Sequence, residues 1–191
     1  DDPDWGIPGQ RAWVQGALAR ICAGLGRDEE CRSAAATALE IALPIGFTVA
    51  EAWAASALGL LELGAGRPEA ALVHLDRVDR IFAKSHVVEP GALWWLGDHL
   101  DALVAVGDRA RAKERLADAE VIAERTGRRY ALAVTCRARA QLVDQGLAEQ
   151  TFADAVEHAT ALGSPFELAR CHLARSRHRA HHGAPGAADD A

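Results

Sequence analysis

Apolar residues recur at helical spacing along most of the chain. Two clear series are Leu93, Leu96, Leu100 and Leu103, and then Ala112, Leu116, Ala119 and Ala123. Residues three, four or seven positions apart share one face of an α-helix, so each series predicts an amphipathic helix. No stretch shows the β-branched alternation of a strand. The pattern therefore predicts an all-α fold.

Glycines interrupt the helical stretches at a regular interval. Gly26, Gly66, Gly107, Gly146 and Gly183 lie about 40 residues apart. Further breaks follow the first three after about 20 residues, at Gly46, His86 and Gly127, and the fourth after 17 residues, at Gly163. This spacing predicts two helices per repeat, joined by glycine turns. Because one helical hairpin cannot bury both of its faces, we expect about four and a half hairpins stacked into a right-handed α-solenoid.

The repeat spacing predicts a single domain over residues 1–191. Its units lie near residues 9–46, 47–86, 87–127, 128–163 and 164–191, of which the last is incomplete. The chain begins on Asp1 and contains no methionine. We therefore expect it to be a fragment of a longer protein.

Helix starts carry capping chemistry in phase with the glycines. Residues 48–51 (TVAE) and 164–167 (SPFE) match the capping box, in which a hydroxyl and a glutamate satisfy N–H groups of the first turn. Pro165 and Pro68 each stand where the first turn of a helix is expected, a position that tolerates proline. These signals reinforce the repeat boundaries.

Composition and charge narrow the functional classes. The net charge of −6 argues against a protein that mainly grips nucleic-acid phosphates. No apolar run approaches the roughly 20 residues that span a bilayer, and no targeting segment opens the chain, so we expect a cytoplasmic protein without membrane contact. Four cysteines without C-x-x-C spacing predict packed, free thiols rather than disulfides or a zinc site.

The second unit resembles a tetratricopeptide repeat (TPR). In ALGLLELGAGRPEAALVHLDRV, residues 57–78, the pair at 58–59 matches the Leu-Gly of the first helix of that repeat. Gly66 matches its inter-helix turn, and Ala71 matches the small residue of its second helix. Leu75 departs from the pattern, because an aromatic residue is usual there. The resemblance implies TPR-like hairpins, here longer than the common repeat.

The C-terminal segment narrows the resemblance to one family. LGSPFELAR, residues 162–170, is similar to a Leu-Gly-x-Pro-Phe-Glu-x-Ala-Arg segment in the helical repeats of large ATP-dependent LuxR-type transcriptional regulators, the MalT-like family. Such regulators carry an ATP-binding module upstream and a helix-turn-helix module downstream. The chain contains neither a G-x-x-x-x-G-K-[ST] motif nor a recognition-helix segment. We therefore expect contact with ATP and DNA only through modules outside this fragment.

The resemblance implies a non-catalytic regulatory domain that senses a small-molecule effector or a protein partner, with self-association as a further option. The alternative is a TPR-like adaptor that holds a partner protein and has no transcriptional role. An open reading frame with a P-loop upstream and a helix-turn-helix downstream would distinguish the two.

Three tryptophans occupy one repeat position. Trp13, Trp53 and Trp94 each precede a turn glycine by 13 residues. In a TPR-like stack this face would line the concave groove, where aromatic planes could bind a ligand. Polar side chains expected nearby are Arg20, Ser56, Asp98, Asp101 and Arg137. The other interpretation is that the rings only pack between successive helices, since burying a tryptophan is itself favourable. Trp95, on a different face, is expected to contact a neighbouring helix.

Other chemistry-bearing residues do not form a recognisable site. Side chains of the metal-binding types are grouped near the C-terminus: Cys171, His172, His178, His181 and His182. The arginines among them would repel a cation, so this segment is interpreted as a solvated basic helix face. No serine has the context of a nucleophile, and no carboxylate pair has that of an acid–base couple. The sequence predicts no cofactor, no metal and no enzymatic activity.

Overall fold

Nine α-helices account for most of residues 6–85 and 94–182, which are the residues that the computed structural model describes. The helices are α1 (Gly6–Gly24), α2 (Asp28–Ala42), α3 (Thr48–Gly64), α4 (Pro68–Ser85), α5 (Leu96–Ala105), α6 (Arg109–Thr126), α7 (Arg129–Leu142), α8 (Gln145–Leu162) and α9 (Pro165–His182). Within these ranges no strand occurs. The predicted all-α fold is confirmed.

The chain divides into two compact units. Among the described residues, the first comprises residues 6–85 and 94–106, and the second comprises residues 107–182. In the first unit, α1 packs against α2 and α3, and α3 and α5 both pack against α4. In the second unit, α7 packs against α6, α8 and α9. Each unit thus builds its own core around one central helix, α3 in the first and α7 in the second.

Most of the predicted glycine turns are present. Positive φ angles occur at Gly26, Gly46, Gly66, Gly107, Gly127 and Gly163, a left-handed conformation that costs other residues free energy. The turn predicted at Gly146 is wrong, because this glycine lies within the first turn of α8. Val143 and Asp144 make the α7–α8 connection instead. The predicted breaks at His86 and Gly183 lie outside the described residues.

The predicted helix starts are correct, whereas the predicted caps are only partly so. Helices α4 and α9 begin at Pro68 and Pro165, as expected. At α9 the hydroxyl of Ser164 accepts a hydrogen bond from the backbone N–H of Glu167, at 3.3 Å. The capping box predicted at residues 48–51 is wrong. Thr48 is already the first residue of α3, no side chain caps that helix, and the glutamate pairs with an arginine of α4.

Alanines form most of the core of the first unit. Its buried alanines are Ala12, Ala19, Ala23, Ala34, Ala35, Ala38, Ala42, Ala50, Ala52, Ala54, Ala55, Ala57, Ala71 and Ala102. Such small side chains let helix axes approach closely. One close approach is at Gly16 of α1, where an added Cβ would lie only 2.8 Å from the Cβ of Trp53 on α3. The first helices are therefore held together by close backbone packing rather than by large interlocking side chains.

Candidate functional site

Arg20 joins three segments of the first unit. From α1, its Nη1 donates to the backbone carbonyl of Ser56 on α3 at 2.9 Å and to Oδ2 of Asp98 on α5 at 2.5 Å. Its Nη2 donates to the backbone carbonyl of Trp94, just before α5, at 2.5 Å. We call these residues, with Trp13 and Trp53, the tryptophan–arginine site. One guanidinium thus fixes the positions of segments that are far apart in sequence.

The ion pair at the centre of this site is largely removed from water. The side chain of Asp98 is 0% exposed and that of Arg20 is 13% exposed. Burying a carboxylate is costly unless a cation and hydrogen bonds compensate it, and Arg20 supplies both. The arginine was expected to orient a ligand. In the structure its two terminal nitrogens are instead occupied by protein acceptors.

The three tryptophans of the predicted series differ in exposure. Trp13 and Trp94 are 46% and 42% exposed, although both are large apolar residues. Trp53 is half-buried and packs against the core cluster that contains Trp95. Ser56 is buried, and its hydroxyl donates to the carbonyl of Trp53 within α3 at 2.9 Å. The site therefore presents two exposed indole rings to solvent, whereas the third is partly covered by its packing.

Trp13 also lines a shallow apolar hollow of about 280 Å³. The other lining residues are Gly6, Gly9, Gln10 and Phe47. Two glycines on successive turns of α1 leave room beside the indole ring, and the hollow is almost free of polar surface. It can accept a small apolar or aromatic group.

The adjacent tryptophan, Trp95, has a different role. It is 3% exposed and stacks on Phe82 of α4, with ring centroids 5.6 Å apart. His99, one turn further on, is also buried, and its Nε2 lies 3.0 Å from Oδ1 of Asp76 on α4. The predicted contact of Trp95 with a neighbouring helix is confirmed. Of the two adjacent tryptophans, Trp94 is therefore exposed, and Trp95 belongs to the interface between α4 and α5.

The last two predicted site residues, Asp101 and Arg137, have no hydrogen bond to Arg20 among the contacts that the structure gives for that guanidinium. Asp101 is half-buried on α5. Arg137 belongs to the second unit, where its Nη1 donates to Oε2 of Glu167 at 2.7 Å and both side chains are 0% exposed. Arg170 adds a second hydrogen bond to this glutamate, at 3.3 Å. The glutamate and arginine of the LGSPFELAR motif therefore contribute to a buried charge cluster that joins α9 to α7.

A basic cleft between α3 and α4 was not predicted. Its volume is about 790 Å³, and its lining comprises Thr48, Glu51, Val73, His74, Arg77, Arg80, Ile81 and Lys84. Burial lowers the pKa of His74, and Glu51 pairs with Arg77 at 2.7 Å, so the net positive charge of the cleft comes from Arg80 and Lys84. Arg77, Arg80 and Lys84 are three and four residues apart and therefore share one face of α4, and this spacing is the feature of the sequence that indicates a basic surface. The cleft has the charge to hold a carboxylate or a phosphate.

The thiols have the properties of packed residues. Cys22, Cys31 and Cys171 are buried, Cys136 is half-buried, and all four are free. Burial raises the pKa of Cys31 to about 11 and also raises that of Cys136. A thiol with a raised pKa is a poor nucleophile at neutral pH. Among the described residues, no three histidine, cysteine or acidic side chains are grouped to hold a metal ion.

The helices of residues 6–85 and 94–182 include none with the length and apolar character needed to cross a membrane. No protein-family model matches the chain, and neither a curated protein nor a solved structure matches it. The family resemblance therefore depends on the sequence motifs alone.

Proposed function

We propose that this chain is a non-catalytic regulatory domain of TPR-like helical hairpins from a LuxR-type transcriptional regulator. In this proposal it is cytoplasmic and binds a protein partner or effector at the tryptophan–arginine site. The observation that carries the binding role is the exposure of Trp13, on the same helix as Arg20, and of Trp94, whose carbonyl Arg20 binds beside its buried partner Asp98. The regulator assignment is supported by the LGSPFELAR and TPR-like motifs.

The geometry favours recognition by the aromatic rings rather than by the charges. Arg20 donates to Asp98 and to two backbone carbonyls, so it links α1, α3 and α5, while Trp13 and Trp94 expose part of their surface to solvent, where they could contact a ligand. Tryptophan and arginine are the residue types that contribute most binding energy at protein interfaces, and rigid anchors lose little entropy on binding. A peptide with an aromatic or aliphatic side chain for the hollow beside Trp13 fits this surface.

Regulation would follow from the way the site joins helices. Because Arg20 contacts backbone carbonyls at Ser56 and Trp94, a ligand on this surface would stabilise one arrangement of α1, α3 and α5. A domain with two arrangements shifts toward the one that binds the ligand better. In a LuxR-type regulator that shift would pass to the ATPase and DNA-reading modules.

The binding role can be tested by selecting peptides from a random library on the intact chain, followed by calorimetry. We expect the Trp94→Ala and Trp13→Ala variants each to weaken a selected peptide at least tenfold, which is the effect of losing an interface anchor. Leu173→Ala is the matched control, because Leu173 is a similarly exposed apolar residue of the second unit. Peptides that bind both tryptophan variants with unchanged affinity would refute the site.

The regulatory role has a separate test. A P-loop upstream and a helix-turn-helix downstream in the same open reading frame would support it, and their absence would leave the adaptor as the better interpretation.

A further inference from the structure

Helix α1 carries a stripe of exposed apolar side chains on the face turned away from the core of its unit. Its members are Ile7, Val14, Leu18, Ile21 and Leu25, the last directly after the helix, and they are 44% to 82% exposed. Alanines and glycines of the same helix form the buried face. Monomeric proteins rarely expose apolar patches larger than a few hundred Å². We call these five residues, together with Arg11, the α1 stripe.

The spacing of the α1 stripe fits a helical partner. Its positions advance by four, three, four, three and four residues from Ile7 to Leu25. This is the 3.5-residue repeat of a coiled-coil seam, which keeps apolar side chains facing a second helix along its length. Ala17 and Gly24 flank the seam on one side and allow a close approach. A flat or irregular partner would not require this repeat.

We propose that the α1 stripe is a self-association surface, on which two copies of the chain pair α1 against α1 in an antiparallel, two-fold dimer. This proposal is independent of the tryptophan–arginine site. Covering the five apolar side chains would bury about 500 Å² on each copy and about 1,000 Å² in all, which reaches the lower limit for a specific interface. We therefore expect a weak, micromolar dimer.

Charge selects both the partner and its direction. Arg11 is the one charged residue of the α1 stripe, and the flanking positions carry no charge that would select a different partner. In a parallel pair the two Arg11 side chains would face each other. In an antiparallel pair centred at Gly16, Arg11 instead lies opposite Ile21 of the other copy, and the two arginines are about 15 Å apart along the axis. The same arrangement places Val14 opposite Leu18.

The first test is analytical ultracentrifugation of the full chain from about 1 μM to 1 mM, a range that brackets weak dimers. We expect a concentration-dependent dimer, and Leu18→Glu should raise its dissociation constant at least 100-fold because the change occurs twice in a two-fold interface. Leu147→Glu is the matched control, since it places the same charge at an exposed leucine of the second unit. A chain that stays monomeric at 1 mM, or a dimer that Leu18→Glu leaves intact, overturns the proposal.

The second test addresses direction and also guards against misfolding. We expect Ile21→Arg to abolish the dimer, because it places two arginines opposite each other, and Ile21→Glu to preserve it through pairing with Arg11 of the other copy. Arg11→Glu combined with Ile21→Arg should restore the dimer, which would show that the singly substituted chain can fold. Equal weakening by Ile21→Glu and Ile21→Arg, with no rescue by the double variant, overturns the antiparallel pairing.

Discussion

Replacing Arg137 with methionine should destabilise the second unit severely. The guanidinium of Arg137 and the carboxylate of Glu167 are both 0% exposed and 2.7 Å apart. Methionine fills similar space but leaves the carboxylate buried without its closest cation. Removing one partner of a buried pair costs about 3–5 kcal/mol. Arg170 still donates to the same glutamate at 3.3 Å, so we expect the lower end, about 3 kcal/mol.

The energetic coupling between Arg137 and Glu167 gives a stricter test than the Arg137→Met variant alone. Once Arg137 is methionine, changing Glu167 to leucine removes the charge that made the first change costly. We therefore expect the double variant to be at least about 2 kcal/mol more stable than the sum of the single effects predicts. Arg139→Met is the control on the same helix, because Arg139 pairs with a glutamate at the surface and such pairs contribute about 0–1 kcal/mol.

Urea unfolding with two probes can assign the loss to the correct unit. The tryptophans among the described residues, Trp13, Trp53, Trp94 and Trp95, all lie in the first unit, so indole fluorescence follows mainly that unit, whereas far-UV circular dichroism follows all helices. Arg137→Met should lower the midpoint of the dichroism transition more than that of the fluorescence transition. A loss below about 1 kcal/mol, or additive effects in the double variant, would refute the reasoning.

Three further predictions concern packing, backbone conformation and pH. Gly16→Ala should lower the free energy of unfolding in urea by about 1–3 kcal/mol, because its Cβ would collide with Trp53. Gly24→Ala is the control and should be neutral or slightly stabilising, because a Cβ there meets nothing within 4 Å. Equal effects of the two substitutions would contradict the packing. Gly127→Ala should lower the melting temperature by several degrees, since the residue caps α6 with φ +62°, and an unchanged value would contradict that conformation. Two arginines of α9 lower the pKa of Glu149 to about 2 from an ordinary 4.5, so its contribution to stability is present above pH 4.5 and lost as the pH falls toward 2. Wild type should exceed Glu149→Gln by about 1–2 kcal/mol at neutral pH, after screening, and the gap should close near pH 2 in thermal melts; a constant gap would exclude this linkage.

Local sequence signals predicted the elements of the fold well. The prolines that start α4 and α9, and most of the turn glycines, act through backbone conformation within a few residues, so their meaning does not depend on distant packing. The prediction at Gly146 was wrong because the interval of about 40 residues between glycines is matched equally well by a glycine in the turn before a helix and by one in the first turn of that helix. The cap predicted at residues 48–51 failed for a different reason. Its glutamate, Glu51, accepts a hydrogen bond from Arg77, 26 residues away, instead of one from the N-terminus of its own helix.

The sequence indicated which residue types the candidate site contains, but not which of their side chains contact each other. The 13-residue interval grouped Trp13, Trp53 and Trp94, which the structure places on α1, on α3 and just before α5 of the first unit. It could not show that Arg20 pairs with Asp98, because 78 residues separate them and only the folded chain brings them together. Arg137 was grouped with them by helical position alone. The structure places it in the second unit, with a buried partner of its own.

The alanine core of the first unit limits the substitutions that this protein can accept during evolution. An alanine codon reaches only valine, glycine, serine, threonine, proline, aspartate, glutamate or another alanine by one nucleotide. Valine and threonine add bulk and are stiff at χ1, glycine and proline weaken helices, and the rest place polar or charged groups where the buried alanines leave them little room. A leucine core can drift through isoleucine, valine and methionine. Few single-nucleotide changes therefore keep the size and apolar character of a buried alanine, so we expect this core to change more slowly than the exposed helix faces.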